Sequence, residues 1–80
     1  MLHISKISML NPGEILTKAS GYFGQGGEGL DETEHGSCCI SFSGAGGFVT
    51  VTVCEKDNKR EVEVEAREFE FQAKQFLSIL

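Results

Sequence analysis

From Cys38 onward apolar and polar residues alternate with period two in three short runs, Cys38–Ser43, Phe48–Cys54 and Arg60–Ala66. Gly44-Ala45-Gly46-Gly47 and Asp57-Asn58 separate them, so the runs read as a meander of hairpins. In an antiparallel hairpin, residues equidistant from the turn centre face each other. Turns centred on Ala45-Gly46 and on Asp57-Asn58 therefore place Ile40 beside Val51, Phe42 beside Val49, Val53 beside Val62 and Val51 beside Val64. One predicted face holds Cys38, Ile40, Phe42, Val49, Val51, Val53, Val62, Val64 and Ala66. The other holds Cys39, Ser41, Ser43, Thr50, Thr52, Glu61, Glu63 and Glu65. A slip of one residue in either hairpin would mix the faces and expose the valines.

Helical spacing flanks this meander. Asn11-Pro12-Gly13-Glu14 offers an N-cap amide, a proline at the first helical position and a glutamate three residues after the cap. Ile15, Leu16, Ala19, Tyr22 and Phe23 then recur on one face, and Gly24 stands where a left-handed cap belongs, so a helix is predicted over 12–23. In the tail, Arg67 to Leu80, a second helix is expected from Phe69, Ala73, Phe76, Leu77 and Leu80. Glu68-Phe69-Glu70-Phe71 also reads as strand, which would extend the third run and shorten that helix. Leu2–Ile7 is a candidate fourth strand. Residues 24–37 hold five glycines and four acids around a single apolar side chain, a composition that predicts a flexible Gly/acidic loop acting as lid or tether.

These pieces give an α+β fold, a two-layer sandwich of order (β)-α-loop-β-β-β-α. Both helices are packed on one face of an antiparallel three- to four-stranded meander. The order resembles that of double-stranded RNA-binding domains and, with the added first strand, a shortened helix-grip fold; no motif of either accompanies it, and order alone licenses no function. Eighty residues suffice for one domain, 1–80. Twelve acidic residues against seven basic ones leave a net charge of −5, which repels phosphate backbones and argues against nucleic acid as partner. No stretch approaches the roughly 20 apolar residues that span a bilayer, and the first ten residues do not read as a signal peptide. An odd cysteine count, two of them adjacent, suits reduced thiols in the cytoplasm.

Few residues suggest chemistry. Gly24, Gly26 and Gly29 match Gly-x-Gly-x-x-Gly, but the motif follows a helix C-terminus, where the helix dipole repels phosphate, so no nucleotide cofactor is expected. His35-Gly36-Ser37-Cys38 has a spacing that can seed a metal site, with Cys39 and Cys54 as further thiolates if they meet diagonally across strands. His35 is also the only base near Cys38 or Cys39. Nothing orients it, and Glu28, Asp31, Glu32 and Glu34 would raise a thiol pKa, so no catalytic constellation emerges. His3 reads as a solvent-facing side chain. Glu61, Glu63 and Glu65 form a carboxylate column that could recruit a cation or basic partner but reads more simply as protection of an edge strand.

Phe48, on the polar face, and Phe71, off the stripe of the second helix, lack a place inside the monomer. With Thr50, Thr52, Glu61, Glu63 and Glu65 they are the candidate interaction surface. The expectation is a small non-enzymatic protein-interaction module that forms a homo-oligomer. Two alternatives stand beside it. One is a small-ligand pocket between helices and sheet, with 24–37 as a lid over Tyr22, Phe23, Phe42 and Phe76. The other is a Cys/His metal or thiol redox site at His35, Cys38, Cys39 and Cys54.

Overall fold

A computed structural model describes residues 1–80. The chain forms strand β1 (Leu2–Ser8), helix α1 (Pro12–Phe23), strands β2 (Asp31–His35), β3 (Cys39–Gly44), β4 (Gly47–Lys56) and β5 (Lys59–Arg67), and helix α2 (Glu70–Ser78). The strands make one antiparallel sheet in the order β1-β5-β4-β3-β2. This is an α+β fold with five strands rather than three or four.

The expected register holds in both hairpins: Ile40 faces Val51, Phe42 faces Val49, Val51 faces Val64 and Val53 faces Val62. Two tight turns set it, Ala45-Gly46 and Asp57-Asn58, in which all four residues have positive φ. β1 pairs with β5 along its full length, Leu2 opposite Ala66 and Ser8 opposite Arg60. The fourth strand therefore exists, and β5 lies inside the sheet.

α1 begins as predicted. The Asn11 side-chain oxygen accepts from the Glu14 N–H at 2.8 Å, and the Glu14 carboxylate accepts from the Asn11 N–H at 3.4 Å, a reciprocal cap. Its end differs: Gly24 is extended at φ −76°, ψ −160°, not left-handed, and its N–H donates to the Ser20 carbonyl at 2.9 Å. α2 starts at Glu70, later than expected, because Glu68 takes a positive φ of 75° that breaks the backbone between β5 and the helix. Its first turn has no side-chain cap. At its other end Lys6 donates from Nζ to the Leu77 carbonyl at 3.0 Å, placing a cation where the helix dipole is negative.

Both helices cover the face predicted to be apolar. Sixteen buried residues form one cluster, with Ile15, Leu16, Ala19 and Phe23 from α1 and Ala73, Phe76 and Leu77 from α2 lying over Ile40, Phe42, Val49, Val51, Val53, Val62, Val64 and Ala66. Cys38 is the exception on that face. It precedes the first residue of β3 and is exposed, its carbonyl accepting from the Val53 N–H at 2.8 Å.

Residues 24–37 are not a loop throughout. The backbone turns after Gly24, passes Gly29 at φ +80°, buries Leu30 against the core and then forms β2 on the edge beside β3. β2 lacks alternation because all five of its residues are exposed. Its pairing is made by backbone hydrogen bonds that a hydrophobicity pattern does not register.

Candidate functional site

With both helices on one side, the other face of the sheet has no covering layer. Paired residues on neighbouring strands point the same way, so rows of side chains cross it. One row runs His3, Glu65, Thr50, Ser41 and Glu34, from β1 to β2. The next is Ser5, Glu63, Thr52 and Cys39, followed by Ile7, Glu61 and Cys54. At the opposite end Phe48 stands between Arg67 and Ser43 and is half-buried. Phe48, Thr50, Thr52, Glu61, Glu63 and Glu65 thus share one surface. Phe71 does not: it is exposed on α2, in the layer on the other side of the sheet.

Polar contacts smooth the middle of this face. Ser41 Oγ and Thr50 Oγ1 lie 3.1 Å apart, and Thr52 Oγ1 is 4.0 Å from Cys39 Sγ. Carboxylates outnumber cations on it, with Asp31, Glu34, Glu61, Glu63 and Glu65 against Lys56, Lys59 and Arg67. His3 Nε2 approaches Glu63 Oε1 at 3.3 Å, and Lys56 Nζ approaches Glu61 Oε1 at 3.2 Å. The glutamate column does not guard an edge, because β1 flanks β5 on its outer side. Asp31, Glu34, His3, Ser5 and Ile7 were missed as members of the surface. The alternation in Leu2–Ser8 carried the signal for β1, whereas nothing in Asp31–His35 marked a strand.

The candidate metal residues are not gathered. No group of three or more His, Cys, Asp or Glu side chains is placed to hold an ion. Cys39 faces Thr52 while Cys54 faces Glu61, and His35 Nδ1 lies 3.2 Å from Glu32 Oε2. All three cysteines are unpaired. The space expected to hold a small-ligand pocket is filled. Tyr22 and Phe23 have ring centres 5.0 Å apart, Phe23 and Phe76 5.3 Å, and Phe23 and Phe42 5.8 Å, with Phe23, Phe42 and Phe76 fully buried. The largest groove, about 530 Å³, lies elsewhere, between Thr17, Ser20 and Gly21 of α1 and His35-Gly36-Ser37.

The large exposed apolar side chains lie near the β1 edge of the sheet, Ile7 on the uncovered face and Phe71 on the helix layer. Met1, Ile7 and Met9 lie on or beside β1, and Phe71 and Ile79 lie on or just past α2, the helix that packs on β5 and β1. No helix is long and apolar enough to cross a membrane. Comparison of the chain with protein-family models, with curated proteins and with solved structures finds no match.

Proposed function

We propose that this chain is a non-enzymatic protein-interaction module that associates with itself. What carries the reading is the placement of its exposed apolar side chains: all five large ones lie on or beside β1 and α2, the two elements at one edge of the sheet. Burial between copies would add apolar contact that 16 core residues in an 80-residue chain supply sparingly. The acidic balance favours protein over nucleic acid as partner. Unpaired thiols suit a reducing compartment, and the cytoplasm is the location proposed with it.

Sedimentation equilibrium and native mass spectrometry over a concentration series test this. A multiple of 8.7 kDa that dissociates on dilution is expected. A single-chain mass at every concentration overturns the reading. The same spectrum reads bound metal, and a surplus of one zinc ion per chain would return His35, Cys38, Cys39 and Cys54 to the front.

A further inference from the structure

We infer that two copies associate by pairing their β1 edges antiparallel, joining the two sheets into one continuous sheet. This rests on the self-association proposed above and specifies its surface. The two edges of the sheet differ in kind. β2 is short and fully exposed, carries Asp31, Glu32 and Glu34, and its pairing shifts between Glu32 and Glu34. Charge, brevity and a bulge are the devices that stop an edge from recruiting another strand. β1 is neither short nor bulged, and Lys6 is its one charged side chain. It is seven residues long, pairs with β5 without a shift, and contains no proline. Residues 1–13 include no acid although the chain has twelve. Its lysine, Lys6, is held in the helix layer by the Leu77 carbonyl. The outer N–H and C=O groups of β1 are thus an open template with no acidic side chain beside them and its one lysine drawn toward the helix layer.

Symmetry and charge select a second copy as the occupant. An antiparallel self-pairing has its two-fold axis along the sheet normal, which keeps both helix layers on the same side. With the axis at Ser5 the whole strand overlaps: Leu2 faces Ser8, His3 faces Ile7 and Ile4 faces Lys6, so no like charges stand directly opposite and the two Lys6 side chains are diagonal to each other on the helix side. The same register sets exposed Met1 opposite exposed Met9 of the other copy. The glutamates of β5 in the two copies are then three strand spacings apart, about 14 Å, beyond the screening length of about 8 Å at physiological salt. Stacking the uncovered faces would instead bring two columns of Glu61, Glu63 and Glu65 together across about 10 Å, with the carboxylates projecting into the gap.

The test compares the unmodified chain with an Ile7→Lys, Met9→Lys double variant and with Ser41→Glu, which adds a carboxylate at the centre of the uncovered face. Both variants are checked for unchanged circular dichroism. The expected result is a doubled mass for the unmodified chain and for Ser41→Glu, and loss of it in the double variant. Loss in Ser41→Glu with retention in the double variant overturns the inference while leaving self-association standing. A monomer at every concentration removes both. If the double variant fails to fold, the unmodified chain decides by intermolecular nuclear Overhauser contacts in a half-labelled sample. Contacts between Met1 and Met9 of different chains are expected, and a doubled-mass species with none from β1 overturns the inference.

Discussion

At Ala45 and Gly46 the chain reverses with φ of +50° and +81°, the two-residue loop whose twist matches that of the strands on either side. Glycine accepts this conformation freely, but alanine does so at about 1–2 kcal/mol because its Cβ crowds the following carbonyl. Asp57-Asn58, the other such loop, already carries residues that tolerate it. Ala45→Asn is therefore expected to stabilise the fold by about 1 kcal/mol, read as a higher urea midpoint at unchanged slope. An unchanged midpoint would mean that the turn relaxes around alanine. Gly47 meets a different demand: a Cβ there would collide with the Arg67 carbonyl and the Glu68 side chain, where β5 ends. Gly47→Ala must push two paired backbones apart, and a loss of about 1–3 kcal/mol is expected in the same assay.

Elements were legible in proportion to how much side-chain chemistry specifies them. α1 was read at its observed bounds because a reciprocal cap and an apolar stripe agree over Asn11 to Phe23. Removing the cap tests that account: Asn11→Ala leaves the Glu14 N–H without its partner and is expected to cost about 1 kcal/mol, or about 4–8 °C in melting temperature. A drop under a degree would show that packing of Ile15 and Leu16 alone sets the helix start. The hairpin register was equally legible, since turn position and the valine alternation point to one pairing. β2 was not, because Asp31-Glu32-Thr33-Glu34-His35 buries nothing and its strand character comes from backbone pairing with β3. The start of α2 was blurred by Glu68-Phe69-Glu70-Phe71, which alternates like a strand; the left-handed Glu68 resolves it, a backbone feature with no signature in that residue type. Of the interaction surface, the part on β4 and β5 was legible from alternation. Phe71 gives no such signal: its spacing off the helix stripe leaves it unassigned, and it lies on the helix layer instead.

For the molecule as a whole, charge sets the conditions under which copies can meet. Each chain carries a net charge of −5, so two of them repel at a distance whatever surface they share. In the edge-paired arrangement their centres are separated by about five strand spacings, roughly 24 Å. Treating each as a point charge in water gives a repulsion of about 4 kcal/mol before screening. At about 0.01 M salt the screening length is about 30 Å and nearly half of this survives, whereas at about 0.1 M it is about 10 Å and under a tenth does. The difference of about 1.5 kcal/mol corresponds to about a tenfold tighter dimer at the higher salt. No ion pair is formed across the proposed β1 junction, so nothing in it weakens to offset that gain. Dissociation constants from sedimentation at the two ionic strengths are expected to fall about tenfold with added salt. A constant that rises instead would mean that opposite charges hold the copies together, which the acid-free β1 edge cannot supply and which would direct attention to the carboxylates of the uncovered face meeting Lys56, Lys59 or Arg60 of another copy.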